Sequence, residues 1–285
     1  MSEVDNALVT TGVGGAPAHT EMAARARRSG IWFYAETVLR GMRAFALPIA
    51  LYAVAQPLLY MIALGVGLGA LVDRGVGSVA GVDYLVFVAP ALLVSTVVMS
   101  VSAEMTFPVM SGFKWNRLYY GPVASPLEPS QVALGHFTAV MLRFLAQGLI
   151  FWLVMLAFGA APAGWVQSVL VVPVGMLAAA AFGAPLQAYA ATLDDGFQFS
   201  LIQRFVVMPM FLFSGTFFPL SAMPGYLHWI GWISPVWHGT ELARWASYGA
   251  DLPPLQAAVH LLFLLTCSAL GLWWGVRTYT RRLRS

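Results

Sequence analysis

Charge is what this sequence has least of. Asp, Glu, Lys and Arg make up 9% of 285 residues, where a soluble domain carries about a quarter. With 59% hydrophobic residues beside that deficit, a water-soluble globule is excluded and one polytopic domain in lipid is indicated. Cysteine is nearly absent. The single Cys267 lies in an apolar run, which excludes a disulfide framework and a cysteine metal site and leaves it as a small buried hydrophobe. Lysine is scarcer still relative to arginine, Lys114 standing against fourteen Arg. That bias suggests a GC-rich genome, hence a bacterium.

Catalytic signatures are missing too. There is no G-x-x-x-x-G-K-[ST] phosphate loop, no H-E-x-x-H and no G-x-S-x-G. His19, His136, His228, His238 and His260 are scattered, with no two at metal-ligand spacing on one helix, so a structural or interfacial place is expected for each and no metal. Asp194 and Asp195 read as a solvated helix end. The net charge of +3 is spread over chain ends and loops, which argues against nucleic acid as a partner. Residues 1–20 are small and polar and read as a disordered tail, without the apolar core of a signal peptide.

What the chain does have is long uncharged runs. From Phe205 to Thr240 there is no charged side chain, yet Pro219, Pro224 and Pro235 break the run, and lipid cannot satisfy the backbone groups each break frees. The expected solution is a span ending near Phe218, then two short re-entrant helices at about 226–234 and 237–248. Gly225 and Gly231 would permit the sharp turns. Trp229, Trp232, Trp237 and Trp245 suit a membrane–water boundary.

In chain order, residues 21–43 are expected to form an interfacial helix, amphipathic from Ile31, with Glu36, Arg40 and Arg43 on one face. Six spans follow, at about 44–72, 84–104, 131–158, 165–193, 201–218 and 254–276, all within one domain covering 21–285. Pro48 and Pro57 should interrupt the first. Gly65 and Gly69 should allow close helix packing. Six spans put both ends on one side, and that side is cytoplasmic if positive charge stays inside. Twelve of the fifteen Lys and Arg then lie inside, with Arg74 and Arg244 outside and Arg143 within span three. An ion pair between Arg143 and Glu104 would relieve that buried charge.

The loop 104–132 is the longest inside segment and is aromatic. Its Phe113, Lys114, Trp115, Asn116 and Arg117 suit a docking element for a soluble partner, since aromatics and arginine dominate interface hot spots.

A family resemblance rests on Phe213, Ser214, Gly215, Phe218 and Pro219, then Met223 and Pro224, then Pro235, His238 and Arg244. This F-x-S-G-x-x-F-P pattern with its Pro, His and Arg sequel resembles the permease subunits of ABC-2 type exporters, especially the branch holding nodulation lipo-oligosaccharide and drug-export permeases. Ser125–Pro126 resembles that family's Ser-Pro before span three. The resemblance implies an all-α, type V exporter-like membrane fold. It implies ATP and magnesium on a separate ATPase subunit in two copies, none bound by this chain, and a second permease half forming a homodimer or similar pair. It also implies a coupling helix in the 104–132 loop and a pathway lined by spans one, two and five, facing membrane lipids. Phe211, Phe213, Phe217 and Phe218 would then form an apolar gate for an amphipathic cargo such as a drug, lipid or lipid-linked saccharide. Two rivals stand beside it. A membrane-embedded lipid-modifying enzyme needs clustered acids or histidines, and none is visible. A channel needs a polar stripe, for which Gln56, Gln147 and Gln187 are too few.

Overall fold

The computed structural model describes residues 19–75 and 77–284; the tail expected to be disordered lies outside them up to residue 18. Among these residues the chain is helical, and the one β feature is a bridge between Val79 and Val82. Uncharged 20-residue stretches have nowhere to send backbone hydrogen bonds but along themselves, and in lipid that means helix.

Five helical runs are long and apolar enough to cross a membrane. The first holds α1 (His19–Met42), a 3-10 turn at Arg43–Phe45, α2 (Ala46–Tyr60), a π-helical stretch at Met61–Leu68 and α3 (Gly69–Gly75). The prolines interrupt the regular α-helix of this run without ending it. Pro48 has no amide to offer the carbonyl of Ala44, and the helix tightens to 3-10 just there. Pro57 is buried inside α2, and the helix widens to π four residues later. Gly65 in that widened stretch faces Leu85, whose side chain occupies the space a Cβ would need.

The helix at the centre is α4 (Tyr84–Glu104), buried over most of its length. Its first free amide, that of Tyr84, donates to Asp73 Oδ1 at 3.0 Å from the end of α3, supplying the partner a helix start lacks. Then come α5 (Phe107–Lys114), the short α6 (Tyr120–Val123), α7 (Pro129–Ala157), α8 (Trp165–Ser168) and α9 (Val171–Ala190). A capping box starts α7: the Glu128 side chain takes the Gln131 amide, and the Glu128 amide donates to Gln131 Oε1 at 3.0 Å.

The fifth span lies four to five residues earlier than the expected 201–218. It comprises α10 (Phe197–Ile202), a π-helical stretch at Gln203–Val207 and α11 (Met208–Phe213), seventeen residues in all. At 1.5 Å per residue that is about 25 Å. It stops at Phe213 because Ser214 Oγ donates back to the Met210 carbonyl and Gly215 turns left-handed, with φ +75°. Two 3-10 turns, α12 (His228–Trp232) and α13 (Pro235–Tyr248) follow, separated by breaks at the expected prolines. The last helix, α14 (Pro254–Arg284), packs closely on α9.

The helices α4, α7, α9, α13 and α14 form the packed bundle. Beside it, α1 lies against the start of α7. Tyr34 and Ala35 are buried there, and Gly135 permits the approach, since a Cβ on it would come within 2.7 Å of the Ile31 carbonyl oxygen.

Candidate functional site

The two ends of the bundle differ in chemistry. One is basic, holding the described arginines of α1, the 107–125 segment, Arg204 and Arg277–Arg284. The other is rich in proline and tryptophan and holds Arg74 and Arg244.

At the basic end, α5 separates the docking candidates into two groups. Phe113 points inward and is 2% exposed, a correction to its expected place on a docking surface. Its ring sits 4.6 Å from Tyr119 and 4.8 Å from Tyr279 of α14, and Arg282 stacks over it at 4.7 Å. A helix has two faces, and the apolar one of α5 finds the bundle. Burial also pushes the Tyr119 phenol well above its usual range, with Tyr279 and Tyr34 adding to the effect. Outward stand Trp115, 56% exposed, and Phe107 against it at 5.4 Å, with Asn116, Arg117, Leu118 and Tyr120 beyond. Lys114 donates to the Asp194 carbonyl. Arg282 donates to the carbonyls of Ala191 and Leu193 at 2.6 and 3.0 Å and pairs with Asp194. The end of α9, whose last carbonyls lack donors by their nature, is thus tied both to α5 and to α14.

Arg143 and Glu104 are brought together, with Nη1 donating to Oε2 at 3.0 Å. The pair sits lower than mid-span. The 21 residues of α4 measure about 31 Å, close to the hydrocarbon thickness of about 30 Å, and Glu104 is the last of them. The pair therefore joins the basic end of α4 to the middle of α7. A step further in, Gln147 Nε2 donates to Gln56 Oε1 at 3.2 Å and to Ser100 Oγ at 3.4 Å. Gln187 donates to the Ala133 carbonyl and to Tyr279 Oη. These glutamines bond helix to helix and do not form a stripe.

At the other end Arg244 is 3% exposed. Nη2 donates to the Gly215 carbonyl at 2.5 Å, Nη1 to Glu241 Oε1 at 3.0 Å, and the guanidinium lies 3.8 Å over the Phe87 ring. A buried arginine is tolerable only when its donors are used. The Ser-Gly-Thr turn it holds is fastened twice more: Ser214 Oγ meets Ser234 Oγ at 2.7 Å, and Thr216 Oγ1 meets Ser95 Oγ of α4 at 2.8 Å.

His238 was expected as part of the re-entrant element, and its partner was not foreseen. Its Nδ1 lies 2.7 Å from Nδ1 of His260, on α14. Its Nε2 is 3.0 Å from the Trp232 carbonyl, which only accepts, so Nε2 carries the hydrogen. In a neutral imidazole Nδ1 is then a lone pair, and His260 donates from Nδ1. Phe263 stacks on His238 at 4.0 Å. Among the described residues no third histidine, cysteine or carboxylate completes a metal site.

Of the gate candidates, Phe211 and Phe217 meet edge to face at 5.1 Å, Phe213 is half-buried, and Phe218 reaches the surface beside Pro219. Pro224 caps the start of the second 3-10 turn and Pro235 opens α13. The expectation for Gly225 needs correction: its φ is ordinary and a Cβ there would meet nothing. Gly231 is the constrained one, where a Cβ would come within 2.8 Å of Leu220.

Comparison with known proteins agrees with the earlier resemblance. The model of the ABC-2 type transporter family matches residues 40–248. Nodulation protein J of Sinorhizobium fredii is 27% identical over 232 residues, 81% of this chain and 85% of that protein. Nodulation protein J of Rhizobium meliloti is 24% identical over 84% of this chain and 88% of its own. The inner membrane transport permease YadH of Escherichia coli K12 is 22% identical, covering 76% and 84%. The match takes in both the Phe107–Trp115 element and the Arg244 clamp.

Proposed function

The chain belongs to the ABC-2 type transporter family, and from that premise we propose that it is one half of the membrane pathway of an ATP-driven exporter. As a member it is a transport subunit in the membrane, served by an ATPase. The finer reading is outward movement of an amphipathic cargo, such as a drug, lipid or lipid-linked saccharide, across a bacterial cytoplasmic membrane. Both chain ends face the cytoplasm, six spans include the short 197–213 helix, and α12 and α13 re-enter from the outside. Two permease halves pair, as a homodimer or with a similar permease, and each receives one ATPase subunit that holds ATP and magnesium.

The observation that carries this reading is the outward face of α5 on an inward stem. Phe107 and Trp115 offer exposed aromatic surface, while Phe113 and Arg282 join the same short helix to α14 and to the end of α9. A push at Trp115 therefore reaches two long helices through packed rings and charge-assisted hydrogen bonds. A subunit that must receive work through a contact needs such a transmitter. The resemblance to the nodulation lipo-oligosaccharide branch favours a lipid-linked saccharide among the cargoes.

The test is reconstitution. Purified chain and the ATPase subunit that co-purifies with it, placed in sealed vesicles, should transport a labelled amphiphile only with ATP on the Trp115 side. Transport in the opposite direction, or without the ATPase, would remove the exporter reading.

A further inference from the structure

A lateral groove of about 490 Å³ runs between α2 and α7. Its cause is side-chain size. Ala46, Ala50 and Ala53 follow one another at i, i+4 and i+7 along α2, and Ala146 faces them from α7, so two helices that might have interlocked leave a trough. Its walls are otherwise almost wholly aliphatic. The mouth is not. Arg43 and Arg143 both line it, with Gln147 a turn further in.

The charges at that mouth do not cancel. Glu104 is engaged by Arg143 at 3.0 Å, and Glu36, the nearest acid on α1, is engaged by Arg40 at 2.5 Å. Arg43 is exposed and has no ion-pair partner among the described residues. The mouth thus carries one cation beyond its carboxylate. Depth fits as well. Arg43 is the last charge before the uncharged run 44–72, and Glu104, which Arg143 engages, is the last residue of α4, so both arginines stand toward the basic side of the groove. The ten residues from Arg43 to Ala53 rise about 15 Å, which is half of a hydrocarbon core of about 30 Å and so the thickness of one leaflet.

We propose that this groove is a binding site for one anionic phospholipid of the basic-side leaflet, with an acyl chain along the alanine trough and the phosphate on Arg43. A trough of this shape in lipid does not stay open: an acyl chain fills it, and the groove walls gain the packing contacts they would otherwise forfeit. The unbalanced arginine selects the headgroup. The lipid would also seat the 3-10 joint between α1 and α2, where Arg43 begins the turn. The inference rests on the membrane placement of the chain and not on its direction of transport.

Native mass spectrometry of the detergent-purified chain tests it, with phosphatidylglycerol and phosphatidylcholine of identical chains added in turn. The expected result is one phosphatidylglycerol retained per chain in preference to phosphatidylcholine. Arg43→Gln should weaken that binding about fivefold, the effect of one basic residue near a membrane surface, whereas Arg74→Gln at the far end should leave it unchanged. Ala50→Phe, at an exposed groove position where a ring meets no core, should abolish retention of both lipids. Equal retention of the two lipids by the wild type, or undiminished phosphatidylglycerol binding by Arg43→Gln or Ala50→Phe, would overturn the proposal. So would efficient disulfide formation between two chains at Ala50→Cys, which would place a second copy over the groove.

Discussion

Arg244 donates to the carbonyl of Gly215, 29 residues earlier, at 2.5 Å. One guanidinium thereby closes a left-handed turn, pairs with Glu241 on its own helix and covers the ring of Phe87 on the central helix. The turn that ends the 197–213 helix is held from the side and not by its own sequence alone.

Breaking that hold should be costly. Arg244→Met keeps volume but strands the Gly215 carbonyl and the Glu241 carboxylate. Glu241 keeps access to solvent, at 31% exposure, so the main cost is the buried carbonyl left without its donor, about 1–3 kcal/mol. The detergent-solubilised variant should unfold at clearly lower temperature than the wild type, and Arg244→Lys should recover little because an ammonium cannot fork. A wild-type melting temperature for Arg244→Met would show the clamp to be dispensable.

Phe113 and Trp115 should separate by phenotype. Trp115→Ala, exposed, is expected to lose co-purification with the ATPase by a factor of about thirty, the loss for a hot-spot aromatic, with little change in melting temperature. Phe113→Ala, buried, should instead cost about 3–5 kcal/mol of stability. Arg117→Ala should be milder than Trp115→Ala as a rim charge. Pull-down and thermal unfolding of each variant decide the matter, and an unstable Trp115→Ala with normal pull-down would reverse the assignment.

The histidine pair offers a cycle. His238→Ala and His260→Ala should each destabilise, and the double variant should cost less than their sum by about 1 kcal/mol, the range for directly bonded side chains. Strict additivity in thermal unfolding would mean the 2.7 Å contact contributes nothing.

Orientation is tested by labelling in intact cells. Cysteines placed at Asp73 or Asp251 should react with a membrane-impermeant maleimide, and one at Asn116 should not. The basis is the concentration of Arg and Lys at the α5 end. Reaction at Asn116 alone would invert the molecule.

Some of this was legible in residues. Asp83 and Glu104 bracket an uncharged stretch, and α4 fills the space between them. Pro224 and Pro235 mark breaks that appear where expected. Other features depend on encounters that spacing does not record. His238 and His260 are 22 positions apart on different helices. Phe113 and Trp115 lie two positions apart, so on a helix they point to different sides; an aromatic count alone could not say which side meets the bundle. The early stop at Phe213 required a serine bonding backward, a habit serine shows in only some helices.

The bond from Tyr84 to Asp73 spans only eleven residues. The contacts of Arg244, by contrast, reach back 29 residues to Gly215 and 157 to Phe87. Closing a short loop costs less entropy than closing a long one. The hairpin of α3 and α4 therefore closes with a bond of its own and needs no later residue for it. The turn at Gly215 has no arginine until α13 is made. Biogenesis is thus ordered from the amino-terminal hairpin to the clamp, and a chain stalled before residue 244 would hold its first helices in place while its fifth still lacked a fixed end.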